Sequence, residues 1–309
     1  MRTNLSSQIS LNRVSPRYYR PENAVERSVL TRCEKVPTNI YETPEEGVQQ
    51  IADEIVAKIQ DRQKEGKFCT VALGTGASLR PLFTELVRRH KDEGVSFRNV
   101  VVFNLYEFYP LAEGHEGSFS HLSRQFLSLV DIDPQNVFTL NGNIPQEAVL
   151  EHCRLYEQRI QTYGGIDILV MGIGREGNIA MNEPGSNLNT TTRLILVDAT
   201  SKAEASRNLG IDNLPPCSIT LGIHNILQAR KVFLLAWGED KADIIKSAVE
   251  DKVSDSLPAS FLQLHNNATV CIDLSAAAHL TRIQRPWLVT HCEWNDKLIR
   301  SAIVWLCQL

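Results

Sequence analysis

At 309 residues and 34.7 kDa the chain is long enough to bury a large core, and it fits one big α/β domain better than two small ones. A formal net charge of -4 and a pI near 6.1 exclude a dedicated nucleic-acid surface, which needs a cationic footprint to displace phosphate counterions. No apolar run reaches the length of a membrane span, and seven cysteines without a C-x-x-C pair suit a reducing compartment, so the expectation is a soluble, cytoplasmic protein.

Residues 1–36 are polar and carry Arg2, Arg13, Arg17, Arg20, Arg27 and Arg32. They read as an N-terminal arm that packs on the domain or on a neighbouring subunit. A helix start follows: Thr43 as N-cap, Pro44 at the first helical position and Glu46 placed for a capping box. The helix should run to about Gln63, with Ile51, Ile55, Val56 and Ile59 on one face.

Residues 68–73 form a strand that runs into Gly74-Thr75-Gly76-Ala77-Ser78, and residues 79–90 continue as a helix. Backbone N-H groups in such a turn, with the Thr75 and Ser78 hydroxyls and the helix dipole, make an anion cradle whose natural guest is phosphate. A plain tight turn would need the same glycines, so both readings stand on the residues alone. The Gly-Lys-Ser/Thr ending of a nucleoside triphosphate loop is missing.

Residues 100–104 are a third buried strand, ending in Leu105-Tyr106-Glu107-Phe108-Tyr109-Pro110. Helices are expected over 118–129 and 146–163. The apolar run from Ile168 to Met171 then reads as a strand buried on both faces, and Gly172, Gly174 and Gly177 follow where it gives out. Glu176 and Glu183 add carboxylates to this loop, and Asn182-Glu183-Pro184 closes it against helix formation, unlike a dinucleotide fingerprint. Strands at 193–197, 218–221, 231–236 and 269–273 alternate with helices at 201–208, carrying Arg207, and 241–250, opened by Lys241. Repeated units of this kind predict a Rossmann-like, doubly wound, mostly parallel sheet with helices on both faces and its ligand crevice at the strand C-termini.

The extension 276–309 ends in a helix that places Leu298, Ala302, Trp305, Leu306 and Leu309 on one face. Such an apolar face calls for a second subunit or for a further C-terminal domain of a longer chain.

Gly74-Thr75-Gly76-Ala77-Ser78, Phe103-Asn104-Leu105-Tyr106-Glu107-Phe108, Leu140-Asn141-Gly142, the loop from Gly172 to Pro184 and Gln263-Leu264-His265 occur in the order and spacing of glucosamine-6-phosphate deaminases. The chain resembles that family over residues 37–275. Asn182-Glu183-Pro184 is the most telling stretch, because the related 6-phosphogluconolactonases carry a Leu-Phe-Pro type sequence there.

The resemblance implies an α/β domain, often a homo-oligomer, that converts glucosamine 6-phosphate to fructose 6-phosphate and ammonia with no metal and no cofactor. Thr75, Gly76, Ala77 and Ser78 would hold the phosphate with Arg207 and Lys241, and Gly174 belongs to the second glycine loop of the same site. Family members place an aspartate where this chain has Tyr106, an aspartate at Glu176 and a histidine at Asn178, while the catalytic glutamate is retained as Glu183. A phenol with a pKa of about 10 is ionised to about one part in a thousand at neutral pH, so Tyr106 is a poor resting base. Asn178 exchanges no proton there at all. Glu107, His115 and His121 lie close by in sequence as substitutes, with a structural duty the expectation for Glu107. The sequence therefore leaves two readings, a deaminase of weakened or altered activity and a sugar-phosphate-binding module without turnover. A lactonase comes third.

Overall fold

The computed structural model describes residues 14–112, 114–292 and 294–308, and alternation along the strands explains its layers. The strands are β1 (Thr38–Tyr41), β2 (Cys69–Leu73), β3 (Val100–Asn104), β4 (Tyr106–Tyr109), β5 (Val137–Phe138), β6 (Ile168–Gly172), β7 (Arg193–Leu196), β8 (Cys217–Thr220), β9 (Val232–Ala236) and β10 (Ala268–Asp273). The helices are α1 (Ala24–Leu30), α2 (Pro44–Lys64), α3 (Arg80–Glu93), α4 (Ser118–Gln125), α5 (Val149–Thr162), α6 (Ala199–Leu209), α7 (Ile223–Leu227), α8 (Ala242–Glu250), α9 (Thr281–Gln284) and α10 (Asp296–Leu306).

Seven strands form one parallel sheet in the order β1-β10-β9-β6-β2-β3-β5. Successive side chains leave a strand on opposite faces, and here both faces are buried. Cys69, Val71 and Leu73, with Ile168, Val170, Phe233 and Leu235, pack under α2 and α3 against Ile51, Ile55, Ile59, Leu82, Phe83 and Leu86. Ala72, Phe103, Leu169, Met171, Leu234 and Ala236 point the other way, toward Cys153 and Tyr156 of α5, Ala205 and Leu209 of α6, and Ile245 and Val249 of α8. Each fully buried isoleucine of α2 contributes about 1.5–3 kcal/mol of transfer free energy.

The start of α2 is as expected in part. Thr43 Oγ1 accepts from Glu46 N at 3.3 Å, but the Glu46 carboxylate reaches past the cap to the Glu42 N-H at 3.0 Å. Residues 14–36 lie on the same body. Tyr18, Tyr19, Leu30 and Val36 are buried in the face shared with α5 and α8, and the buried Arg282 of α9 pairs with Glu34 at 2.8 Å.

One expectation is corrected. Residues 193–197 and 218–221 do not extend the parallel sheet; β8 pairs antiparallel with β4 on one side and β7 on the other in a separate sheet of order β4-β8-β7. The two registers meet at Thr220, which faces Tyr106 on one side and Arg193 on the other. This small sheet turns the chain after β3 across the strand tips and so carries Tyr106 to the crevice.

In α10, Asn295 caps the start by accepting from the Lys297 and Leu298 amides, and Trp305 packs near Trp287 at 6.3 Å between ring centres. Leu298, Ala302 and Trp305 are half-buried, while Ile299, Ile303 and Leu306 are exposed. Leu306 therefore stands off the inward face predicted for it, and Leu309 lies outside the described residues. No helix among the described residues is long and apolar enough to cross a membrane.

Candidate functional site

The chain adds strands to one side of β2 through β3 and β5, then crosses to the other side with β6. At that switch the tips of β2 and β6 release the two glycine-rich loops, and between them lies a cleft of about 240 Å³.

Gly76 takes a φ of +149°, which residues with side chains avoid, and so lets the turn after β2 fold back on itself. The turn is fixed at both ends: Gly74 N donates to Val170 O at 2.9 Å, and the Trp237 indole N-H donates to Ser78 O at 2.9 Å. Gly174 is required for a different reason. The Asn178 amide packs where a Cβ on Gly174 would stand, and Gly174 N donates to Asn178 O at 3.0 Å.

Thr75, Gly76, Ala77, Ser78, Tyr106, Gly174, Asn178, Arg207 and Lys241 line this one cleft. Within it the Thr75 hydroxyl lies 2.7 Å from the Tyr106 phenol and 2.9 Å from the Ser118 hydroxyl, a chain of three hydroxyls. Tyr106 is buried, and burial pushes its phenol further above the ordinary value, against the pull of those hydrogen bonds. Even less of it is ionised near neutral pH than of a free phenol. The Asn178 Oδ1 is buried with no hydrogen-bond partner among the described residues.

On the opposite wall the Lys241 ammonium, on a buried side chain, donates to Ile173 O at 3.0 Å and to Glu204 Oε1 at 2.7 Å. Glu204 Oε2 accepts from the Arg175 amide at 3.1 Å. Arg207 stands on the same helix, exposed at the mouth, and the Arg175 side chain faces Asp240 at 3.8 Å.

The two carboxylates named from the sequence are not in the cleft lining. Glu183 sits one residue behind it: its Oε2 accepts from the hydroxyl of Ser201, which does line the cleft, at 2.9 Å. Its other oxygen is buried without a partner among the described residues, and burial raises its pKa while Ser201 pulls it down. Glu176 is exposed and outside the cleft wall. Asn182, between them, is wholly buried and clamps the loop, donating to Ile179 O at 3.0 Å and Leu221 O at 2.8 Å and accepting from Arg193 at 2.8 Å.

Glu107 has the structural duty expected for it. Its carboxylate accepts from the Phe108, Ser118 and Phe119 amides at 2.7–2.8 Å, where the orphan N-H groups of α4 emerge. His121 is buried on α4, and burial lowers its pKa; His115 lines a separate hollow beside Glu107. Neither histidine lines the main cleft.

Glu204, Arg175, Ser201, Ser118, Trp237 and Asp240 were not picked out from the sequence. One signal was available for the first: Glu204 precedes Arg207 by three residues, so a helix that presents one presents the other.

Two glycine loops at the strand tips of a parallel sheet, with basic side chains from a helix and from the turn after β9, define an α/β protein with a cleft at the carboxyl ends of its strands. The family model of glucosamine-6-phosphate isomerases/6-phosphogluconolactonase matches residues 42–271, and the chain belongs to that family. It is 63% identical over its whole length to a glucosamine-6-phosphate deaminase-like protein of Bacteroides thetaiotaomicron, of which it spans 47%, about half. It is 34% identical to glucosamine-6-phosphate deaminase 1 of Bacillus subtilis, over 75% of this chain and 95% of that one. A monomeric glucosamine-6-phosphate deaminase of known structure superposes with a TM-score of 0.73 at 30% identity, covering 79% of this chain and 99% of the other. The 6-phosphogluconolactonase of Thermotoga maritima shares the fold, with a TM-score of 0.60 at 18% identity over 77% of this chain and 98% of that one.

Proposed function

We propose that the cleft binds a hexosamine 6-phosphate, its phosphate held by the turn of residues 74–78 with Arg207 and Lys241, and that turnover to fructose 6-phosphate and ammonia is weak. The observation that carries the proposal is the convergence of that turn with both cations in one hollow. Amide and hydroxyl donors together with two cations suit a phosphate dianion. The sugar end is poorer. Proton transfer between neighbouring sugar carbons needs a base ionised near neutral pH; the positions matched to the family's base and imidazole hold a buried phenol and an amide, and the lining carboxylates, Glu204 and Asp240, stand beside the cations. Glu183 acts only from behind Ser201.

A second reading, binding without turnover, is favoured by the hydroxyl chain that occupies Tyr106 in a structural bond to Thr75. Incubation with glucosamine 6-phosphate separates the two. Ammonia and fructose 6-phosphate in equal amounts are expected from a weak deaminase, whereas calorimetric binding with no product at high protein concentration leaves the module. No binding of any hexose 6-phosphate removes both.

The same proposal includes a homo-oligomer formed through α10, whose Ile299, Ile303 and Leu306 stay exposed. Sedimentation should then give a multiple of 34.7 kDa, and a species of 34.7 kDa alone would count against it.

A further inference from the structure

The Lys241 ammonium and the Arg175 amide are donors that an incoming anion would use, and both are already taken by one carboxylate. Glu204 receives Lys241 on Oε1 at 2.7 Å and Arg175 N on Oε2 at 3.1 Å, spanning the cleft wall between the second glycine loop and the turn after β9. It lines the same hollow as residues 74–78 and Arg207. The pair is largely withdrawn from water, with side-chain exposures of 9% for Lys241 and 17% for Glu204. We infer that Glu204 is an internal competitor for the anion seat of the cleft and determines which anions can enter it.

The inference rests on the sugar-phosphate reading and adds a cost to it. A dianion seated on Lys241 beside an unmoved Glu204 meets a like charge in a site of low effective dielectric. Entry therefore requires the carboxylate to swing away from Lys241, giving up two charge-assisted hydrogen bonds that the ligand then replaces. An inorganic phosphate has only those bonds to offer in return. A hexose phosphate has in addition a sugar body to set against the wall of Tyr106, Asn178 and Ser201, so the same cost leaves the ester able to enter where the free ion is held out. No covalent step is involved.

The test is calorimetry at one pH with two probes, inorganic phosphate and glucosamine 6-phosphate, on wild type, Glu204→Gln and Glu204→Ala, each checked for its melting transition. Both variants should bind inorganic phosphate and the ester at least about tenfold tighter than wild type and by similar factors, because displacing the carboxylate costs both ligands the same. Wild-type binding with no gain, or a loss, in the variants overturns the inference alone and leaves Glu204 as a residue that positions Lys241. A gain for one probe only shows that Glu204 acts otherwise than by occupying the shared seat and overturns the competition. Absence of binding by wild type and variants to either probe ends the sugar-phosphate reading and this inference together. Should the variants fail to fold, crystals of the wild type soaked in glucosamine 6-phosphate decide: Glu204 should have left Lys241, and a carboxylate still in contact with it refutes the competition.

Discussion

Under the sugar-phosphate reading proposed above, the two ends of the cleft are built in different ways. At the anion end, backbone does the positioning: the turn of residues 74–78 is held by Val170 and Trp237, and the cations come from α6 and the turn after β9. At the sugar end, side chains must supply the chemistry, and those present are a phenol tied to Thr75, an amide with an unpartnered oxygen, and a carboxylate standing behind Ser201. Binding a phosphate asks only for fixed donors, which a strand-tip turn provides almost regardless of its side chains. Moving a proton asks for a particular pKa at a particular atom, so one substitution removes it. A family member can therefore keep its ligand end and lose its reactive end.

The largest effect should come from repairing the reactive end. Tyr106→Asp with Asn178→His restores the residue types that the resemblance places there, and ammonia release from glucosamine 6-phosphate should rise by about 10²–10⁴-fold over wild type, the usual contribution of a positioned acid or base. No gain in a folded double variant would show that the two ends differ by more than these two positions. Removing a cation should act on the other end: Lys241→Ala is expected to weaken hexose phosphate binding by about tenfold to a hundredfold, as the loss of a charged hydrogen bond does. Asn178→Ala should change the same affinity by less than about threefold, because its amide lies on the side of the sugar. Equal losses in the two variants, read by calorimetry, would erase the distinction between the ends.

The smallest effect is one of pH. Burial raises the pKa of Glu183 in the folded protein, so the folded state holds that proton more tightly than the unfolded chain does. Its contribution to stability is then complete below the ordinary carboxylate value and fades as pH rises through the folded value. Glu183→Gln is neutral throughout and escapes the fade, so its melting temperature should gain on wild type between about pH 4 and about pH 7. A constant gap across that range would place Glu183 in contact with solvent, on equal terms with the exposed Glu176.

Five of the seven parallel strands, β2, β3, β6, β9 and β10, were legible in the sequence because each is a short apolar run buried on both faces, whereas β1 and β5 lack such a run. The same alternation could not tell which sheet a strand joins. Residues 193–197 and 218–221 carry a strand pattern, but their pairing with β4 depends on Tyr106 meeting Thr220, more than a hundred positions away. The cleft divides likewise. The turn of residues 74–78 was legible as a glycine turn after a buried strand, with an anion cradle and a plain tight turn equally open, and the structure adds that Gly76 takes a positive φ. Glu204 was not legible, because a glutamate inside a helix is ordinarily a solvated one, and only the packing of α6 against the turn after β9 brings it onto Lys241.

By itself the sequence determined five of the seven parallel strands and the longer helices, the two glycine loops, the family, and the absence of the expected carboxylate and imidazole at Tyr106 and Asn178, because each of these is a property of neighbouring residues or of matched spacing. Tertiary structure alone decided that Thr75 spends its hydroxyl on Tyr106 and Ser118, that Glu183 lies behind Ser201 while Glu176 is exposed, and that Glu204 sits on the Lys241 ammonium. The physical reason is range: period and turn chemistry act within a few residues, whereas a charge pairs with whatever the folded backbone sets within about 4 Å of it.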